Sequence, residues 1–375
     1  MTRSSRPGLL ALSSGIDRLL ADGDRLATLK QRSVGLLTNA GCRTADGTQS
    51  ASALNEALAE GSNSGLACLF APEHGFTTDM AAGASVSDHR DGTSGIDIIS
   101  LYGQRQAPKP DHLATIDVLI IDLRDVGVRC YTYAATAAMA AQAALDAGIE
   151  VIICDRENPL GTTTAGPPLD PRFQSFLAYF AVPFIHGRTL GSLITETLSY
   201  HPYASGLTMI PAGNDDTRHE APWVPPSPSL VTPDTLQFYP GLVLFEGTNL
   251  SEGRGTPLSF RCIGAPWLNV TAATEATNSW PTGIEATACE IHPTTGDYAK
   301  QSLPAIRFER RTSQCDGFGF GVRLLAWVAS THPDFSWKPA KSDCPMIDIL
   351  LGNDSLRTAL DRGNSAEDVL AQWRN

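Results

Sequence analysis

Glu73 and His74 stand side by side where a short apolar run ends, Cys68-Leu-Phe-Ala-Pro-Glu-His-Gly75. A carboxyl and an imidazole are the two side-chain types most used to move protons near neutral pH. An apolar run of strand length, stopped by Pro72 and then Gly75, reads as a buried strand opening into a loop. In α/β sheets, ligands bind at such carboxyl ends. The plainer alternative is an ordinary loop with two polar residues. A second segment, residues 245–256 (FEGTNLSEGRGT), holds Glu246, Glu252 and Arg254 among Gly247, Gly253 and Gly255. Its glycines permit positive φ and close backbone approach, as in a ligand-binding loop. Either glutamate could partner Glu73, because glycoside hydrolysis generally uses two carboxyls: one protonates the departing oxygen and the other attacks or activates water. Arg254 offers a bidentate fork to an anionic substituent. The alternative there is a solvated hairpin with one Glu–Arg ion pair.

Residues 122–133 (DLRDVGVRCYTY) combine Asp122, Arg124, Asp125, Arg129, Tyr131 and Tyr133 in a strand-to-helix loop. Aromatic rings stack on sugar faces and Asp/Arg pairs hydrogen-bond hydroxyls, so Arg129, Tyr131 and Tyr133 are candidate ligand contacts. Equally, Asp125 could serve only to pair with Arg129 and fix the loop. His74, His186, Asp122 and Asp125 could instead hold a metal, although they lack a ligand spacing such as H-x-x-x-H. The first strand-to-helix turn, TNAGCRT, lacks G-x-G-x-x-G, and no Walker A or G-x-S-x-G sequence occurs. Nucleotide chemistry and serine hydrolysis of the α/β type are therefore disfavoured. The GFGFG of 317–321 reads as part of an extended segment that serves packing.

The elements that must position these residues alternate through the first half. Strands are expected at 33–38, 66–70, 117–123, 150–154, 183–186 and 207–210. Helices are expected at 50–60 (with Ser50 or Ser52 as N-cap), 132–147 (closed by Gly148) and 189–198 (capped by Thr189). This alternation predicts an α/β fold with a doubly wound parallel sheet. Asn39, Glu73-His74, Asp122/Arg124/Asp125, Asp155 to Asn158 (with Arg156) and His186 then all fall at or just past carboxyl ends, on one edge. Residues 211–240 are Pro-rich and read as an extended crossing. The remainder lacks the strand–helix rhythm, with extended stretches near 258–263, 284–291, 303–309 and 317–328 and two short helices near 346–361 and 365–374. The expectation is two domains, 1–220 and a smaller α+β domain at 221–375.

With 28 basic and 40 acidic residues the chain carries a net charge of −12, the wrong sign for a nucleic-acid binder. No apolar run reaches a membrane span. The apolar stretch Gly8–Leu12 is short for a secretory signal, and the eight scattered cysteines form neither a C-x-x-C pair nor a dense disulfide pattern. A cytoplasmic protein without cofactor, acting on a small or uncharged substrate, is expected.

The segments FAPEHGF (70–76), SLYGQ (100–104), DVLIIDLRDVGVRCYTY (117–133), DRENPLG (155–161), HGRTLGSL (186–193), WVPPSPSL (223–230), YPGLVLFEGTNLSEGRGT (239–256) and IGAPW (263–267) resemble, in the same order, those of the DUF1343 family. That family includes exo-β-N-acetylmuramidases of the NamZ type, glycoside hydrolase family 171. The resemblance implies a Rossmann-like N-terminal domain, a smaller C-terminal domain, a cleft between them, and release of N-acetylmuramic acid from the non-reducing end of peptidoglycan fragments. It makes Glu73 the general acid/base and adds Asn249 to the cleft residues, with His74, Asp125, Arg129, Tyr131, Tyr133, Arg156, Asn158, His186, Glu246, Glu252 and Arg254. Ser229 stands where the family pattern has Asn, and Glu157 where it has Pro. Two other readings remain: a metal-assisted hydrolase, and a cell-wall sugar-binding protein without catalysis.

Overall fold

Short β-branched and apolar runs form the strands of the chain, seen in a computed structural model that describes residues 14–59, 65–80, 83, 87–213, 223–312, 315–339 and 344–373. The stretch Gly8–Leu12, read as too short for a secretory signal, lies outside these. In chain order the strands are β1 (Val34–Leu37), β2 (Cys68–Ala71), β3 (His89–Arg90), β4 (Asp97–Ser100), β5 (Val118–Ile121), β6 (Glu150–Cys154), β7 (Ala165–Pro168), β8 (Pro183–Ile185), β9 (Leu207–Ile210), β10 (Cys262–Gly264), β11 (Ile284–Ile291) and β12 (Leu303–Arg310). Contacts divide the chain into two units: one of residues 1–125, 132–158 and 188–228, the other of 126–131, 159–187 and 229–375. The expected single boundary at 220/221 is thus replaced by an interleaved division, with 126–131 and 159–187 in the second unit.

The first unit holds a seven-stranded sheet in the order β3-β4-β2-β1-β5-β6-β9. All neighbours are parallel except the edge strand β3. Counting only the parallel strands, the order is 3-2-1-4-5-6, that of a Rossmann-type sheet, and its direction of winding reverses between β1 and β5. Every residue of β1, β2 and β5 is buried, as expected for strands covered on both faces. Val34, Leu36, Val118, Ile120 and Ile152 meet Leu54 and Leu58 of the helix Ser50–Ala59 and Ile16 and Leu19 in one core cluster.

The second unit carries the antiparallel sheet β10-β12-β11, the two-stranded sheet β7-β8 and most of the remaining helices. Helix Pro233–Leu242 and helix Gly317–Thr331 pack against each other through glycines. A Cβ on Gly321 would lie 2.3 Å from Gly241 Cα, and one on Gly317 would lie 1.7 Å from the Gln237 carbonyl oxygen.

Several expectations are corrected. Residues 183–186 supply a strand, but β8 pairs antiparallel with β7 and not with the large sheet, so His186 does not follow a parallel strand. Residues 317–321 open a helix, with Asp316 as its N-cap accepting from the Gly319 N–H. Alternating Gly and Phe mimic a strand, whereas the glycines four apart share one helix face. Ser50 and Ser52 lie within their helix. Part of the 211–240 crossing is helix Pro233–Leu242. The C-terminal helices number three, Met346–Leu351, Ser355–Asp361 and Ala366–Gln372. No helix among the described residues is long and apolar enough to cross a membrane.

Candidate active site

Three loops leave the carboxyl ends of β1, β2 and β5, strands of the first unit, around the point where its sheet reverses direction. Such a reversal opens a crevice above the strands. The loop after β2 is the Pro-Glu-His-Gly turn. His74 and Gly75 both have positive φ, 70° and 74°. For a non-glycine residue this is an uncommon, costly conformation that marks a constrained site. The His74 Nδ1 lies 2.7 Å from the Met80 carbonyl oxygen, which ties the turn to its own continuation.

That turn presents Glu73, which is only 8% exposed. Its Oε2 accepts from the Thr132 hydroxyl at 2.8 Å, and its Oε1 accepts from the Gly83 N–H at 2.9 Å. Thr132 is the first residue of the helix Thr132–Asp146. The N-terminal end of that helix therefore lies at the carboxyl group. Beside it, the Tyr133 and His74 rings meet edge-on with centroids 6.5 Å apart. The Tyr133 hydroxyl donates to the Pro226 carbonyl at 2.8 Å, and Asn39 Nδ2 reaches the same oxygen at 3.3 Å. Glu73, His74, Tyr133 and Asn39 thus form one connected group with Thr132.

Arg156, Asp155, Asn158 and Asp125 belong to the same unit with different duties. Arg156 grips Asp122 through Nε (2.6 Å) and Nη2 (2.9 Å), and also reaches the Arg43 carbonyl and Ser50. Burial opposes the charge on Arg156, but the fully buried Asp122 outweighs it and holds the guanidinium above its ordinary pKa. This pair ties the ends of β5 and β6 to the helix Ser50–Ala59. Asp155 accepts from the Thr189 hydroxyl and the Gly191 N–H at the start of helix Leu190–Thr197. Burial nonetheless pushes its carboxyl above the ordinary range. Asn158 donates to the Arg188 carbonyl, and Asp125 is buried.

The second unit gathers Glu246, Glu252 and Arg254. Arg254 Nη2 bonds Glu246, and its Nε lies 3.3 Å from Glu252. Its guanidinium sits 5.0 Å from the centroid of the Phe260 ring. Gly253 and Gly255 have positive φ as expected, whereas Gly247 is needed because Ile347 would meet its Cβ at 2.7 Å. Tyr131 stacks edge-on against Tyr239 at 6.1 Å. Arg129 spends its guanidinium on the carbonyls of Pro167, Val182 and Leu351, and burial pulls its pKa down to about 10. Asn249 clamps the 334–336 backbone from both ends of its amide. His186 is buried, its backbone N–H donating to the Gly127 carbonyl. A cavity of about 840 Å³ in this unit, walled by Ile185, Trp280, Phe318 and Arg323, contains none of the candidate catalytic or substrate-binding residues.

Sequence reasoning does not single out Thr132 or Gly83. A hydroxyl at the first helical position after a strand-end loop is the available signal for Thr132; Gly83 has none. Asp122 has both oxygens occupied by Arg156, which leaves it poorly suited to a metal. Among the described residues no three His, Cys, Asp or Glu come together as a metal site.

The chain matches the family model for the N-terminal part of the exo-β-N-acetylmuramidase NamZ over residues 34–234, and that for its C-terminal part over 237–375. It is 33% identical to the peptidoglycan β-N-acetylmuramidase NamZ of Bacillus subtilis (strain 168), over 96% of this chain and 87% of that protein. Two crystal structures of DUF1343 family proteins from Bacteroides fragilis share its fold. One has a TM-score of 0.78 at 24% identity, covering 97% of this chain and 95% of that one. The other has a TM-score of 0.71 at 25% identity, covering 97% and 94%.

Proposed function

The chain belongs to the NamZ exo-β-N-acetylmuramidase family, and from that premise we propose that it releases N-acetylmuramic acid from the non-reducing end of peptidoglycan fragments with Glu73 as proton donor. The observation that carries the assignment is the Glu73 carboxyl group, buried at a strand end beside the sheet's reversal point and held through both oxygens. A carboxyl fixed in this way delivers its proton along one direction, toward the glycosidic oxygen. As that bond breaks, positive charge grows on the sugar ring. Glu246 or Glu252 is the carboxylate we assign to stabilise that charge. The substrate's own 2-acetamido group is the alternative stabiliser. Tyr133, His74 and Asn39 shape the wall beside the acid.

The enzyme is a hydrolase of the bacterial cell wall acting on a muramic-acid-containing saccharide. Glu73→Gln keeps the shape of the side chain and removes the acid. Turnover of a chromogenic N-acetylmuramic acid glycoside is expected to fall by ~10²-fold or more, within the range for a lost general acid. Near-wild-type turnover would remove Glu73 from the role.

A further inference from the structure

We infer that Thr132 is a positioning residue that sets the orientation of the Glu73 carboxyl group and receives the charge left on it, an inference that rests on reading Glu73 as the proton donor. The two partners of Glu73 differ in kind. The Gly83 N–H at Oε1 can only donate, so that contact is the same in every protonation state. The Thr132 hydroxyl at Oε2 rotates and can donate or accept. Oε2 is therefore the oxygen whose partner can follow the proton. In the acid step the Oε2–H bond breaks, the proton passes to the glycosidic oxygen, and the electron pair stays on Oε2. The charge left behind meets an O–H already aimed at it from 2.8 Å, at the first residue of a fifteen-residue helix. Both groups are buried, so water does not replace the hydroxyl when it is removed.

The test compares Thr132→Val, which keeps the shape and loses the hydroxyl, with Thr132→Ser and Glu73→Gln, using a chromogenic muramic-acid glycoside. In Thr132→Val, kcat is expected to fall by about tenfold, the loss of one hydrogen bond to a charged group, with KM within about twofold. Thr132→Ser should restore kcat. If Thr132→Val keeps the wild-type kcat while Glu73→Gln is inactive, the inference fails and the role of Glu73 stands. Should Thr132→Ser lose as much as Thr132→Val, the methyl group and not the hydroxyl is responsible, and the inference also fails. An active Glu73→Gln removes the reading beneath it. If circular dichroism shows Thr132→Val unfolded, Thr132→Ala is judged by the same criteria.

Discussion

Asp155 shows how a residue's neighbours decide what a strand-end carboxylate is for. It sits one strand over from Asp122 and is also buried, yet among the described residues no arginine side chain bonds it. Its partners are a hydroxyl and backbone N–H groups at a helix start, and burial outweighs them to raise its pKa above the ordinary 3.8. The sign of the consequence follows from linkage. A carboxyl whose folded pKa exceeds its unfolded value contributes stability while protonated, below the unfolded pKa. That contribution is lost as pH rises through the folded pKa. Asp155→Asn should therefore gain on the wild type as pH climbs from below 3.8 toward neutrality, since the amide offers the same oxygen to Gly191 and never ionises. Urea midpoints measured across that range read the difference. A gap that stays constant or narrows with rising pH would sink this account of Asp155.

At the scale of elements, the parallel strands and the helices between them are legible because they are short, apolar and bounded by turn residues. β1, β5 and β6 lie within a residue or two of their expected bounds, and Thr189 caps its helix as predicted. What is not legible depends on partners distant in sequence. β8 looks like the other strands, but it pairs with β7 and not with a strand of the large sheet. The Pro-Glu-His-Gly turn is readable from Pro72 and Gly75, whereas the clamp on Glu73 is not, because Thr132 lies 59 residues away. GFGFG misleads, since local alternation says nothing about a facing helix. Its glycines let two helix backbones approach, with Gly321 against Gly241 and Gly317 against Gln237. Gly321→Ala is then expected to destabilise the chain by about 1–3 kcal/mol, the usual cost of overpacking, although alanine favours helices. A urea midpoint equal to or above that of the wild type would show that the helices can separate without cost.

At the scale of the whole molecule, the chain passes between its two units at 125/126, 131/132, 158/159, 187/188 and 228/229. A boundary drawn along the sequence cannot show such interleaving, because it is defined by contacts between distant segments. The cysteines offer a probe that spans both units. All eight are free; Cys42, Cys68, Cys130, Cys154 and Cys262 are buried, while Cys289, Cys315 and Cys344 are partly exposed. Burial pushes Cys68 and Cys130 up to about 12, and Cys315 to about 11. At a pH of about 8, a thiol with a pKa near 12 is ionised only to a fraction on the order of 10⁻⁴, and the thiolate is the reactive form. Titration of the native enzyme with a disulfide reagent should therefore show at most three thiols reacting in the fast phase, with the other five appearing only after denaturation. Each buried thiol that reacts early would identify a segment that opens without global unfolding. Five or more fast thiols in the native protein would mean that the cores around β2 and β6 are far less closed than their burial implies.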